Sequence, residues 1–550
     1  MIRHGGKILS DQLIKLGVRR VFSVPGESFL AALDGLYDSG IQNIVCRQEG
    51  GAAMMAEAYG KMTGQPGVCF VTRGPGATNA SAGIHIARQD STPLVMFVGQ
   101  IDNRHTDRET FQEVDYKSLF GGLAKWVAQV DHTERLPEYI GRAFRVAMSG
   151  RPGPVVLALP ENMLSAAAEV ADLHLPDSIS QPVPTDAVQA IMHVLGQAEK
   201  PLVVVGGPHW NRQAQADLQA FAERQNLPVV TAFRRQDYMD NHHSHFAGDL
   251  NVGINPKLAT RVRDADTLIL LGTRFGDIAT QGYTLVDPAN HGKSIVHVHP
   301  DPDELGRVYT PDIGIAATAP SVLRALADAE PVGNWEAWTA EARAEYEAWA
   351  QPQESPGTLK QEEVIKWLSD NLPDDAIITN GAGNYAAWLH RYFVYKQHGT
   401  QLAPTSGSMG YGFPAAISAA IEHSDRTVVC LAGDGCFQMT CNELSTAVQH
   451  GAKPIVIVIN NGRYGTIRMH QEKAYPGRVS GTALANPDFA ALARAYGGHG
   501  EVVTETAQFA DAFNRAQAAG TVAIIECKVD EEALATGATL TAIRTAAQKR

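Results

Sequence analysis

The segment Leu431-Ala432-Gly433-Asp434-Gly435-Cys436-Phe437 follows directly on the apolar run Val428 to Leu431. Glycines on both sides of an aspartate, at a strand end and ahead of a helix expected near Asn442, let backbone N–H groups approach an oxyanion. The aspartate then faces a cation. After the next strand-like run, Ile455 to Ile459, comes Asn460-Asn461-Gly462-Arg463-Tyr464-Gly465. Adjacent strands of an open sheet bring two such loops to one crevice at their carboxyl ends. One carboxylate, one amide oxygen and one backbone carbonyl are hard oxygen ligands, and with two phosphate oxygens and a water they complete an octahedron around Mg2+. A tight turn explains Gly-Asp-Gly by itself in most proteins. The asparagine pair behind a second strand is what argues for a metal-bound diphosphate.

Two further segments have chemical potential. In Cys46-Arg47-Gln48-Glu49-Gly50-Gly51-Ala52-Ala53, a glutamate at a strand-to-helix junction is followed by small residues, so it can lie close to a bound ring. The same glutamate would also suit the first turn of a helix. Glu57, two turns further on, reads as solvated or paired. Thr405-Ser406-Gly407-Ser408-Met409-Gly410-Tyr411-Gly412-Phe413-Pro414 is a glycine-rich turn entering a helix.

The elements that must position these residues are short β-branched apolar runs, each followed by a longer helical pattern. Val68 to Thr72, Leu94 to Val98, Val155 to Leu159, Leu202 to Val205, Thr267 to Leu271, Ile295 to Val298, Thr427 to Leu431 and Ile455 to Ile459 all qualify. Continuous apolar strands alternating with helices predict parallel sheets covered on both faces. The rhythm breaks at about 161–185, rich in Ala, Ser, Asp and Pro, and at about 332–358, where a helix is expected between two connections. The fold class is therefore α/β in three domains, 1–165, 186–330 and 360–535, each a mostly parallel sheet flanked by helices. The outer two are candidates for a shared fold. The final residues TAIRTAAQKR read as a terminal helix or a loose tail.

Composition narrows the function classes. A chain of 550 residues with 44% hydrophobic and 19% charged residues is globular and long enough for about three cores. Its net charge of -13 opposes nucleic acid and anionic membrane surfaces. Six cysteines without a CxxC pair give neither a disulfide framework nor a zinc site, and Cys69 and Cys430 read as buried strand residues. The first residues, MIRHGGKILSDQLIKLG, lack the apolar centre of a signal peptide, which predicts a cytoplasmic protein. His242, His243 and His245 lie in a polar loop and read as surface histidines.

Gly433-Asp434-Gly435 through Asn461 resembles the thiamine diphosphate motif, and the resemblance extends along the chain to the acetolactate synthase-like enzymes. It implies a thiamine diphosphate-binding fold for the outer domains and a Rossmann-like middle one. Asp434 and Asn461 would hold Mg2+ by their side chains and Arg463 by its carbonyl. Gly433, Gly435 and Cys436 would lie against the cofactor, as would Pro25. Asn384 and Tyr385, where relatives have Gln-His, would donate to the diphosphate. The Gly407 carbonyl and the Met409 N–H would bind the aminopyrimidine, with the Met409 side chain as the wedge that bends the cofactor. Glu49 would share a proton with N1′ of that ring, from a largely apolar pocket. In relatives the first and third domains meet across a subunit boundary, which implies a homodimer and, as a pair of dimers, a homotetramer.

The first domain carries the closest likeness to the synthases. Arg73-Gly74-Pro75-Gly76-Ala77-Thr78-Asn79 matches their turn and Phe111-Gln112-Glu113 follows at their spacing. Gln112 would address the reacting carbonyl, Phe111 would line the pocket, and Lys125 falls where those enzymes keep a lysine. Two departures bear on the acceptor. Ile278, in Arg274-Phe275-Gly276-Asp277-Ile278, stands in place of an arginine that holds a second keto acid, and His470 stands in place of a tryptophan that selects it. The expected reaction is decarboxylation of a 2-keto acid with carboligation to a second carbonyl, keto acid or aldehyde. Acyloin or diketone lyases and non-oxidative decarboxylases are the alternatives, with an inactive scaffold subunit as the non-enzymatic one. FAD in the middle domain stays open: Arg274 is retained, while Gly248-Asp249-Leu250-Asn251 replaces Gly-Met-His-Gly.

Overall fold

Runs such as Ile455-Val456-Ile457-Val458 are apolar on both faces, so a strand built from them must be covered from both sides. The computed structural model describes residues 1–174 and 182–549 and contains three six-stranded sheets that meet this demand. In the first, β1 (Arg20–Ser23), β2 (Gln42–Val45), β3 (Gly67–Val71), β4 (Leu94–Gln100), β5 (Trp126–Gln129) and β6 (Pro154–Pro160) lie in the order β2-β1-β3-β4-β6-β5. The middle sheet holds β7 (Pro201–Val205), β8 (Val229–Ala232), β9 (Phe246–Leu250), β10 (Thr267–Leu271), β11 (Ser294–His299) and β12 (Ile313–Ala316), ordered β9-β8-β7-β10-β11-β12. That is the doubly wound order of nucleotide-binding sheets. The third comprises β13 (Ile377–Asn380), β14 (Gln401–Leu402), β15 (Val428–Gly433), β16 (Ile455–Asn460), β17 (His499–Val503) and β18 (Ala523–Lys528), ordered β14-β13-β15-β16-β18-β17. Every pairing in the three sheets is parallel. The first and third sheets share one strand order, so the outer domains have a common topology without a visible sequence repeat.

The connecting segments differ in character. A helix, Glu336–Trp349, fills the second break, and Trp338 donates its indole N–H to the Pro201 carbonyl at 2.9 Å, which binds that helix to the middle sheet. In the first break, Ala167–Glu169 pairs antiparallel with Ile2–His4, and residues 175–181 lie outside the described residues. The tail forms a helix, Leu540–Gln548. An additional short helix begins at Asp434 itself and ends at Gln438, and the helix expected near Asn442 starts with a tight turn at Cys441–Glu443. A second short helix follows at Leu444–Gln449. Cys69 and Cys430 sit in β3 and β15, where burial raises both thiols, Cys430 to about 12. Among the described residues no helix is long and apolar enough to cross a membrane, and no group of three or more His, Cys, Asp or Glu residues could hold a metal ion.

The domains are locked together by shared core and buried polar contacts. Met55 and Ala56 of the helix Glu49–Thr63 share one apolar cluster with Phe413, Ala416 and Ile417 of the helix Gly412–Glu422. Glu443 of the third domain, fully buried, accepts the backbone N–H groups of Arg47 and Gln48. Between the first and middle domains, Arg151 donates to Glu304 at 2.7 Å, both residues buried. Removing one partner of such a pair strands the other charge in the interior. A Glu304→Ala variant is therefore expected to lose about 3 kcal/mol or more in its first unfolding transition in denaturant, with Glu304→Gln losing less. Equal midpoints for parent and Glu304→Ala would show that this pair does not hold the two domains together.

Candidate active site

Gly433 and Ile459 are opposite each other in neighbouring strands, so Asp434 and Asn461 leave the third sheet at adjacent carboxyl ends. The reversal of strand order between β13 and β15 opens a crevice at the same edge. There the structure has a cleft of about 250 Å³ whose lining includes Gly383, Met409, Asp434, Asn461, Arg463 and Tyr464. Its glycines are required by contact. A Cβ on Gly435 would stand 2.5 Å from the Tyr464 ring, and one on Gly433 would stand 2.9 Å from Tyr385.

Asp434 is only 3% exposed. Its Oδ1 accepts the Gly435 N–H at 2.8 Å and its Oδ2 accepts Asn486 Nδ2 at 2.7 Å. Burial pushes the carboxyl above its ordinary value, against the pull of those two donors. A carboxylate in that state lacks a counter-charge, and a cation supplies one. Asn461 Oδ1 accepts the Arg463 N–H at 3.2 Å, which closes the turn that presents the Arg463 carbonyl, while the Arg463 guanidinium is paired with Glu531. The donor set is carboxylate, amide oxygen and carbonyl, and it suits a hard cation such as Mg2+.

Asn486 was not visible in the sequence reading. It lies in an Asn-Pro turn of ordinary composition, yet it bridges Asp434 to Asn460 Oδ1 at 2.8 Å and accepts Gln438 Nε2 at 2.7 Å. Asn384 and Tyr385 are at the cleft but committed elsewhere. Asn384 donates to the Leu534 carbonyl at 2.5 Å and accepts from Thr466. The Tyr385 hydroxyl accepts the Gly381 N–H at 3.1 Å and contacts Cys436 Sγ at 3.4 Å, and Cys436 also accepts the Gly410 N–H at 3.2 Å. Both residues line the cleft beside Ala382 and Gly383, and these contacts tie together the loops that form its wall.

The first-domain candidates form a separate group. Glu49 opens the helix Glu49–Thr63, half-buried, and its Oε2 accepts Asn79 Nδ2 at 3.0 Å. The turn beginning at Arg73 gathers its neighbours: Arg73 Nε donates to the Phe111 carbonyl at 3.3 Å, and Gly74 packs against Gln112, whose φ is +66°. Phe111 is 74% exposed, and Pro25 is exposed as well. None of these residues lines the cleft that holds Asp434.

Three other candidates stand apart. Lys125 donates to the carbonyls of Val146 and Ser149, each at 2.6 Å, and so caps the helix Leu136–Met148; burial lowers its ammonium to about 8. His470 is exposed on the helix Gly465–Ala474. Its neighbour Arg468 is bound to Glu472 at 2.7 Å, and Arg544 of the terminal helix grips the same carboxylate at 2.9 Å. Those donors, Arg544 first, hold the Glu472 carboxyl down to about 2. Arg274 donates to the Gln89 carbonyl at 2.8 Å and lines a second cleft of about 370 Å³ with Gly207, Phe233, Arg235 and Ile278. Of the loop histidines, His243 donates from Nε2 to Glu223 at 3.0 Å and His242 is exposed.

Asn486 gives a direct test of the metal-facing geometry. An Asn486→Leu variant is expected to weaken Mg2+-dependent cofactor binding by about 10–100-fold, the usual cost of losing a group that orients a metal ligand. Titration calorimetry with thiamine diphosphate and Mg2+ reads this. An unchanged isotherm would remove Asn486 from the site.

Three family models match the chain in succession. The thiamine pyrophosphate enzyme N-terminal TPP binding domain covers residues 3–119, the central domain 188–326 and the C-terminal TPP binding domain 381–527. The chain is 31% identical to the acetolactate synthase isozyme 2 large subunit of Escherichia coli (strain K12), over 92% of each protein. It is 32% identical to the acetolactate synthase large subunit of Corynebacterium glutamicum, over 93% of this chain and 84% of the relative. It is also 32% identical to the large subunit from Lactococcus lactis subsp. lactis, over 90% and 87%. With the three α/β domains in place and Gly433-Asp434-Gly435 facing Asn461 across adjacent strand ends, the chain belongs to the thiamine pyrophosphate enzyme family and is acetolactate synthase-like.

Proposed function

We propose that the protein decarboxylates a 2-keto acid with thiamine diphosphate and ligates the retained acyl carbon to a second carbonyl. The observation that carries this reading is the buried Asp434 beside Asn461 in a glycine-lined cleft, in a chain that aligns nearly end to end with acetolactate synthases. Asp434 and Asn461 would hold Mg2+ through side-chain oxygens and Arg463 through its carbonyl. Gly433 and Gly435 let the backbone approach the diphosphate. When bound, the cofactor supplies the electron sink for loss of CO2 from the keto acid. Gly407 and Met409 receive the aminopyrimidine, and Met409, packed on the core of the third domain, is rigid enough to shape it.

Glu49 holds a proton at N1′ of that ring. Since Glu49, Pro25, Phe111 and Gln112 lie outside the Asp434 cleft, the complete site takes the first domain of a second copy, which makes a homodimer the functional unit and a homotetramer its natural assembly. The exposed Phe111 then becomes pocket lining. The domains act as the units 1–165, 186–330 and 360–535. The middle-domain cleft, with Arg235 and Arg274 and the close approach of Gly207 to Gly272, suits a nucleotide diphosphate. The visible absorption spectrum of the purified protein decides whether that nucleotide is FAD, whose role there would be structural.

One feature favours an aldehyde as acceptor. Ile278 brings no charge, and Arg468 is committed to Glu472 and thereby to Arg544, so neither is free to bind a second carboxylate. With pyruvate and benzaldehyde in the presence of thiamine diphosphate and Mg2+, the enzyme is expected to release CO2 and to form the mixed acyloin in excess over acetolactate. Glu49→Gln is expected to lower that rate by about 100-fold or more, the range for a positioned acid–base group. Neither CO2 nor ligation product from a panel of 2-keto acids would contradict the proposal.

A further inference from the structure

Beneath the segment 403–411, the structure buries a cluster of charges that the reaction itself does not use. Glu57 is 0% exposed and Asp90 is 4% exposed, and Lys61 lies between them, 3.3 Å from Glu57 and bound to Asp90. Burial of this kind is costly unless each group is satisfied, and here most of the satisfaction comes from the third domain. Asp90 Oδ1 accepts the Thr405 N–H at 2.7 Å and the Thr405 hydroxyl at 2.5 Å. Lys61 donates to the Ala403 carbonyl at 3.1 Å. The Tyr411 hydroxyl donates to Glu57 Oε2 at 2.6 Å, and Thr92 donates to Glu57 Oε1 at 2.6 Å. The middle domain adds Arg234, whose guanidinium binds the Pro404 carbonyl at 2.5 Å.

The segment is thus pinned at 403–405 and again at 411. Between the pins, Gly407 and Gly410 both have left-handed backbones, φ +66° and +81°, so the span has little stiffness of its own. Gly407 and Met409 line the cleft from that span. Glu57, Lys61 and Asp90 do not line it. We propose that Glu57, Lys61 and Asp90 are positioning residues of the active site, a buried first-domain clamp that sets where Gly407 and Met409 meet the cofactor. This rests on the assignment of Gly407 and Met409 to the aminopyrimidine.

Five variants test the clamp: Asp90→Asn, Glu57→Gln, Lys61→Met, the charge-keeping Lys61→Arg, and the mild Thr405→Val. For each, the dissociation constant for thiamine diphosphate at fixed Mg2+ is measured by quenching of protein fluorescence, with kcat at saturating cofactor and the melting temperature. Asp90→Asn, Lys61→Met and Thr405→Val are expected to raise the dissociation constant about tenfold or more, the size of a lost hydrogen bond to a charged group. They should also lower kcat at saturation, while Lys61→Arg recovers most of both. Where Asp90→Asn fails to fold, Thr405→Val decides. Parental binding and parental kcat in Thr405→Val would overturn the clamp. A parent protein that binds no thiamine diphosphate would overturn the cofactor assignment instead, and the clamp with it.

Discussion

The constraint on which the structure depends is a carboxylate held almost out of water at the end of a strand. Asp434 has two hydrogen-bond donors, the Gly435 N–H and Asn486 Nδ2, and neither carries a charge. Leaving such a group in a protein interior is unfavourable without a cation. The rest of the third domain follows from that demand. Parallel strands place Asn461 beside it, glycines keep side chains away from it, and the Asn-Pro turn at 486 fixes its orientation.

The sheet frame was legible because fully buried parallel strands are written as unbroken apolar runs. All eight runs singled out in the sequence fall in strands of the three sheets. Asp434 and Asn461 were legible because both flank glycines at strand ends, a local signal. Asn486 was not, since its importance arises from contacts with Asp434 and Asn460 that only the folded sheet creates. The same holds for Glu57: the helical pattern allows a solvated or paired glutamate, and only the packing of Tyr411 and Thr92 from elsewhere in the chain shows that it is paired and fully buried. The helix expected near Asn442 is present at Cys441–Glu443 and Leu444–Gln449, and the five-residue helix Asp434–Gln438 precedes it without a side-chain cap that the sequence could have announced. Lys125 is legible in the sequence only by position, and its bonds to two carbonyls at a helix end are contacts that the fold creates.

Charge placement links the site to its periphery. Arg468 sits one turn from the cleft and pairs with Glu472, which also pairs with Arg544 and so joins the terminal helix to the helix Gly465–Ala474. The cluster of Glu57, Lys61 and Asp90 joins the first domain to the loop that carries Gly407 and Met409. The cleft is therefore held from two sides by ion clusters whose members do not enter it.

The central claim is that one chain supplies Asp434 and another supplies Glu49 to each site. Mixing Glu49→Gln with Asp434→Ala, each inactive alone, under conditions of subunit exchange tests it directly. Random pairing places one intact site in each mixed dimer, so activity should return to about a quarter of the parental value. No recovery, with mixed dimers demonstrated by mass spectrometry, would mean that both residues serve the same site from the same chain.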